Sequence, residues 1–350
     1  MTGRYTHRNY VSFGKFPVGE ITFGNMLQDA GYATCMVGKW QLGGDHQTPH
    51  TLGFDDYCLQ NGISTSKPFD RKTRGRERHW GDPVVVANGD LYESDKRYGP
   101  DMLNEYATNF IRRKKNEPFF LYYPMILPHS PFAPTPASTD GDKSGGKTSE
   151  LKYFKDMVEH IDVLVGRVLS TLVQEGIRDN TIVLFTGDNG TTYPVKVTAP
   201  APAGLAKVKG LKGGRHISQL PSQMEVIVDE EKEGPLSRTT KGDVPGGKDL
   251  MSQRGTHVPF IVDWPRHRDN FAEIGHVNTG LLDFTDVVPT LCELAGAKMP
   301  EDRTMDGLSF ANAVRGETAS TDREAIFCHY WEFGRKQEKA RTMVHDHRWK

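Results

Sequence analysis

The chain has 350 residues, 36% hydrophobic and 25% charged, an ordinary globular composition with enough apolar material for a large core. A formal net charge of −1 excludes a dedicated nucleic-acid binder, which would show a basic excess. No apolar run is long enough to cross a bilayer. The cysteines Cys35, Cys58, Cys292 and Cys328 lack the Cys-x-x-Cys spacing of a zinc site and signal no disulfide framework.

In chain order, Met1-Thr2-Gly3-Arg4-Tyr5-Thr6-His7-Arg8 opens with no signal peptide, cap or lead-in, so this end does not report a compartment. Phe23, Met26, Leu27 and Ala30 fall at i, i+3, i+4 and i+7 and predict a helix, with Gly31 at its C-terminal stop. A strand over Ala33 to Val37 leads into Gly38-Lys39-Trp40-Gln41-Leu42-Gly43. The runs Arg71 to Arg78 and Arg112 to Lys115 are read as solvated faces or loops. Phe119 to Tyr123 predicts a strand feeding Pro128-His129-Ser130-Pro131. Leu151, Phe154, Val158, Ile161, Val165, Val168 and Leu172, spaced by three and four, predict the strongest helix, ending near Gly176. Thr181 to Thr186 is a β-branched apolar run that stops at Gly187-Asp188-Asn189-Gly190, as a buried strand does.

Between Thr191 and Gly247 the pattern disappears. The segment holds Ala199-Pro200-Ala201-Pro202 and the acidic cluster Asp229-Glu230-Glu231, and reads as a large irregular insertion. Val258 to Val262 is a further strand, Pro289 to Ala295 a short helix closed by Gly296, and Phe327 to Lys350 the strands and turns of a small C-terminal piece. Helices alternating with strands predict an α/β fold with a mostly parallel central sheet and helices on both faces.

Three polar loops follow predicted strands, and ligands bind at that edge of an open α/β sheet. Lys39 follows the first, His129 the second, Asp188 and Asn189 the third; Lys248, in Pro245-Gly246-Gly247-Lys248, precedes the Val258 strand. Parallel strands would gather all of them at one edge. Asp188 and Asn189 offer hard oxygens suited to Ca²⁺, although Asp-Asn-Gly is equally good turn chemistry. Two lysines, a histidine and a cation would suit a tetrahedral oxyanion. Singly, each lysine reads as a surface residue and His129, between two prolines, as a rigid turn.

In this order the motifs resemble the sulfatase family of the alkaline-phosphatase-like superfamily. Gly38 to Gly43 resembles the family's Gly-Lys-Trp-His-Leu-Gly, Pro128 to Pro131 its Pro-His-x-Pro, and Gly187 to Gly190 its metal-binding Asp-Asn-Gly. Gly246-Gly247-Lys248 running to Val258-Pro259-Phe260, then Asp286 to Leu291 with Leu294-Ala295-Gly296 and Asp306-Gly307, complete the likeness. Thr2-Gly3-Arg4 is similar to the tail of the signature Cys/Ser-x-Pro-Ser-Arg-x-x-x-x-Thr-Gly-Arg, whose formylglycine nucleophile and a first pair of metal-binding aspartates would precede Met1.

The resemblance implies an alkaline-phosphatase-like fold, with a catalytic domain over 1–320 that lacks its start, the 191–247 insertion, and a small, incomplete C-terminal subdomain over 321–350. It implies hydrolysis of an aryl or carbohydrate sulfate, with Ca²⁺ held by Asp188 and Asn189, Lys39 and Lys248 neutralising sulfate charge, and His129 bonded to the ester and protonating the leaving oxygen. Gln41 stands in the substrate-binding loop where the family has His, and Gln253 and His257 replace its Glu and Arg. A sulfated small molecule or glycan and, for the full-length parent, a formylglycine-generating enzyme are the implied partners, in an extracytoplasmic compartment. The polypeptide alone is expected to be inactive. Trp80 and Trp331 are candidates for stacking on sugars or for core positions. The rival readings are a phosphomonoesterase or phosphodiesterase of the same superfamily, whose two zinc ions favour imidazole where Asn189 stands, and a non-catalytic anion-binding pseudoenzyme.

Overall fold

The computed structural model describes residues 1–9, 14–60, 80–81, 83–92, 94, 96–139, 152–191, 236–239, 242–245, 247–248, 250–271, 275–318, 320–330 and 341–346. The elements in order are α1 (Thr6–Asn9), α2 (Phe23–Asp29), β1 (Ala33–Lys39), α3 (Thr48–Thr51), β2 (Asp56–Gln60), β3 (Val85–Ala87), β4 (Asp90–Tyr92), α4 (Gly99–Lys114), β5 (Phe119–Tyr122) and α5 (Tyr153–Gln174). Then come β6 (Val183–Thr186), β7 (Leu236–Thr239), β8 (Gly242–Pro245), α6 (Gln253–Thr256), β9 (Phe260–Asp263), α7 (Val287–Ala295), α8 (Ala311–Val314), β10 (Ala325–Tyr330) and β11 (Arg341–Asp346). They fall into two bodies, one of 1–182 with 264–350 and one of 183–263.

In the first body a five-stranded sheet has the order β4-β3-β2-β1-β5. β1 runs parallel to both β2 and β5, whereas β2, β3 and β4 alternate in direction. The sheet is therefore mixed, because β2 to β4 form a meander whose last turn is Asn88-Gly89, with φ of 47° and 91°, the positive values that a two-residue hairpin requires. Side chains alternate across the pleat and both faces are covered. Cys35 and Val37 of β1 pack with Leu103, Ala107 and Phe110 of α4 and with Met157 and Leu164 of α5. Met36 points the other way, to Phe23 and Met26 of α2 and Val288 and Cys292 of α7. Burial on both faces explains why β1 reads as a continuous apolar run.

The helix ends follow local chemistry. Thr22 Oγ1 accepts from the amides of Gly24 (2.9 Å) and Asn25, while Asn25 Oδ1 accepts from Thr22 N (3.0 Å), a reciprocal cap that starts α2. Gly296, with φ of 69°, closes α7. The basic run at 112–115 is the exposed C-terminal turn of α4, where Arg112 and Lys115 pair with Glu175 and Arg113 with Asp56.

In the second body β6 and β9 form a two-stranded antiparallel ladder, Thr186 opposite Phe260, and β7 pairs with β8. The described part of the predicted insertion thus holds a hairpin; its Ala199–Pro202 run and Asp229–Glu231 cluster lie outside the described residues, as do Arg71 to Arg78 and Trp331. The C-terminal piece forms the antiparallel pair β10 and β11. No helix among the described residues is long and apolar enough to cross a membrane.

Candidate active site

In the first body, the parallel direction of β1 and β5 brings their C-terminal ends to the same edge. Lys39 N donates to Pro124 O at 2.7 Å. Gly38 has φ of +126°, and a Cβ there would lie 2.1 Å from that same carbonyl, so only glycine lets the two chains approach. Lys39 is half-buried beside fully buried Trp40, whose indole Nε1 donates to Gly43 O at 2.8 Å and pins the loop. Gln41, between these anchors, is exposed.

The segment after β5 carries His129, which is exposed and flanked by cis bonds before Pro128 and Pro131. Its backbone N donates to Ile126 O at 3.0 Å. Its Nδ1 lies 2.6 Å from Ser130 O; a carbonyl only accepts, so Nδ1 carries the proton and Nε2 is left as the exchangeable position. Trp80 is not a sugar-stacking residue. It is 1% exposed, packed in the core, and its Nε1 donates to Pro131 O at 2.8 Å, holding the histidine turn from beneath.

In the second body the loops that carry Asp188, Asn189 and Lys248 meet through their backbones, by a route different from that expected. β9 runs antiparallel to β6, so its beginning, not its end, meets the C-terminal end of β6. Gly187 N donates to Pro259 O (3.3 Å), Gly190 N to Gly255 O (3.0 Å) and Lys248 N to Thr191 O (3.1 Å). A Cβ on Gly190 would lie 1.8 Å from Arg254 O, so the loop closes only with glycine there. Asp188 is exposed, Asn189 and Lys248 half-buried. A carboxylate and an amide oxygen fit a hard, oxygen-liganded cation such as Ca²⁺. Among the described residues no cluster of three or more His, Cys, Asp or Glu could hold a metal, so Asp188 and Asn189 do not by themselves make a metal site. His257 is exposed; the side chain of Gln253 lies outside the described part.

One network escapes a reading from sequence. Arg323, buried, holds buried Asp286 with Nε at 2.7 Å from Oδ2 and Nη2 on Oδ1. Its Nη1 donates to Tyr5 Oη (3.0 Å) and its Nη2 to Asp306 O (3.1 Å). Asp306 in turn accepts from Tyr5 N (2.9 Å) and Arg8 Nε (2.8 Å), and donates its own amide to Gly3 O (3.0 Å). The Thr2-Gly3-Arg4 segment and the Asp306-Gly307 loop, some 300 positions apart, are thus one unit.

The sequence profile described as Sulfatase matches residues 1–297. The chain belongs to the sulfatase family. A second profile, N-sulphoglucosamine sulphohydrolase, C-terminal, matches residues 247–350. Curated relatives include human arylsulfatase D, 24% identical over 91% of this chain and 57% of that protein, and the N-acetylgalactosamine-6-sulfatases of Sus scrofa (29%, 89% and 51%) and Rattus norvegicus (30%, 84% and 48%). The chain spans about half the length of these relatives. Among solved structures, Ps i-CgsB in complex with k-i-k-neocarrahexaose matches with a TM-score of 0.67 at 22% identity, covering 99% of this chain and 70% of that one. The PsFucS1 sulfatase from Pseudoalteromonas sp. matches at 0.61 and 19%, covering 94% and 63%. These matches show the α/β, alkaline-phosphatase-like fold.

Proposed function

We propose that the protein acts as a sulfuric ester hydrolase that cleaves a sulfate ester, of a glycan in preference to an aryl alcohol, into alcohol and sulfate. The observation that supports this reading is the interlock of Gly187–Gly190 with the Lys248 turn, which packs the backbone carrying Asp188 and Asn189 against the backbone carrying Lys248. The curated N-acetylgalactosamine-6-sulfatases, at 29–30% identity, support a sulfated sugar.

In this reading Asp188 and Asn189 hold Ca²⁺, which when bound would polarise the sulfate oxygens. Lys39 and Lys248 offset the charge of the sulfate group. His129, its Nδ1 fixed by Ser130 O, presents Nε2–H in its cationic form to the leaving oxygen. Gln41 orients by hydrogen bonding alone, because a side-chain amide does not act as an acid or a base at neutral pH. The nucleophile is a formylglycine from outside residues 1–350, made by a formylglycine-generating enzyme.

The test is a panel of aryl and glycan sulfate esters presented to the full-length protein with and without a calcium chelator, paired with Ca²⁺ titration of this chain followed by thermal melting. Chelator-sensitive release of sulfate, and a Ca²⁺-dependent rise in melting temperature lost in Asp188→Asn, are the expected results. Zinc in metal analysis, with release of phosphate in place of sulfate, would instead favour a phosphoesterase.

A further inference from the structure

We propose that Arg254 is, with Lys248 of the same body, a second cationic contact for the anionic group of the substrate, and that it helps to fix specificity for a tetrahedral oxyanion. This inference rests on the sulfatase reading and deepens it.

The turn from Gly247 to Thr256 is closed by Leu250 N to Gly247 O (2.9 Å), Gly255 N to Ser252 O (2.9 Å) and Thr256 N to Ser252 O (3.0 Å). Arg254 is wedged against both functional loops. Its carbonyl lies 1.8 Å from where a Gly190 Cβ would be, and its own Cβ lies 2.4 Å from a Cβ placed on Gly247. Gly190 is the neighbour of Asn189, and Gly247 that of Lys248. Arg254 is half-buried, yet among the described residues no carboxylate is paired with it, whereas Arg113, Arg167, Arg315 and Arg323 each meet one. A partly desolvated guanidinium with no counter-charge is unfavourable until an anion arrives.

A second group in the same turn is equally unsatisfied. Ser252 Oγ is buried with no hydrogen-bond partner among the described residues, and a buried hydroxyl of that kind calls for an acceptor. Guanidinium and ammonium differ in what they offer. Lys248 supplies a point charge; Arg254 supplies a planar fork that matches two oxygens of one oxyanion. The arginine that sulfatases commonly carry after the Gly-Gly-Lys segment is replaced here by exposed His257, and Arg254 stands three positions earlier, in α6.

The test is calorimetric titration of the chain with sodium sulfate at constant ionic strength, comparing wild type with Arg254→Gln, Arg254→Lys and Lys248→Gln. Loss of a charge-assisted fork in Arg254→Gln should weaken sulfate binding about tenfold or more, with the melting temperature unchanged. Arg254→Lys should recover part of that loss, and this variant keeps the test decisive if the glutamine form folds poorly. Wild-type affinity in Arg254→Gln, alongside weakened binding in Lys248→Gln, would overturn this inference and leave the sulfatase reading standing. Failure of the wild type to bind sulfate would overturn both.

Discussion

Lys39 closes a strand and Asn189 stands shortly after one, yet the two bodies fix them in different ways. Lys39 ends a strand whose six preceding residues are all buried and which has a parallel neighbour on each side. Its position is inherited from the core. Asn189 follows a four-residue strand that is only half-buried and that, among the described residues, has a ladder to β9 alone, where Ile261 is 56% exposed. Its position depends on hydrogen bonds between the 187–191 and 247–259 backbones and on glycines that let those backbones touch. A core-anchored residue fails when the fold fails; an interlocked loop fails locally, with the fold intact.

The sharpest way to break the comparison is at the first body's buried ion pair. Arg323→Met leaves the Asp286 carboxylate desolvated without its counter-charge, a loss of about 3–5 kcal/mol that should appear as a large fall in the urea midpoint. Adding Asp286→Asn to the same protein should restore part of it, since the uncompensated charge is then gone. Full stability in the single variant would show that the pair does not hold the 2–8 segment to the 306 loop.

Two glycine substitutions sharpen the contrast. Gly38→Ala forces a Cβ onto Pro124 O at a φ that side chains rarely adopt, and should cost the whole fold about 1–3 kcal/mol or more. Gly190→Ala meets Arg254 O at still closer range, but its effect should stay in the second body. The expected result is an unchanged main melting transition with loss of amide protection across 187–191 and 247–255. A fall in global stability equal to that of Gly38→Ala would erase the distinction between the bodies.

A smaller effect is expected beneath His129. Trp80→Phe keeps a ring in the core but removes the donor to Pro131 O, leaving that carbonyl without its indole partner at a cost of about 1–3 kcal/mol. Hydrogen exchange at His129 and Ser130 should quicken more than exchange in β1, if the indole supports the turn specifically.

What the residues disclose follows the same division. Elements with a long period or a full apolar run (α2, β1, β5, α5 and α7) sit where the sequence pattern puts them, within a few positions. β3 and β4, of three residues each, are too short to show alternation, and the Asn88-Gly89 turn between them is the one local cue. α4 begins at Gly99-Pro100, a pair that reads as a break although proline suits a first helical turn. Asp188, Asn189 and Lys248 are visible as chemistry, but not the antiparallel course of β9 that joins them, because direction is not encoded in a four-residue strand. Arg323 gives no local signal at all; its partner lies 37 positions away and only packing reveals it. Burial of Trp80 is equally invisible, since a tryptophan beside polar sequence suits either surface or core.

The smallest predicted effect concerns pH and again belongs to the first body. Burial alone would raise the pKa of Asp101, but hydrogen bonds from His160 Nε2 (3.0 Å) and Arg167 Nη1 outweigh it, and the carboxyl is held below its ordinary value. The pair ties α4 to α5, with the edge of Tyr98 against the His160 ring at 5.3 Å. A carboxylate whose folded pKa is depressed contributes its full stabilisation above the unfolded value of about 3.9 and loses it as pH falls through the folded value. Asp101 is partly solvated, so water screens the pair and the contribution should be below about 1 kcal/mol. Urea midpoints of wild type and Asp101→Asn, compared from pH 6 down to pH 2.5, should therefore differ by a small constant amount above about pH 5 and converge below about pH 4. A gap that persists unchanged to the lowest pH would mean that the asparagine perturbs helix packing, and that the charge of Asp101 contributes nothing to the α4–α5 contact.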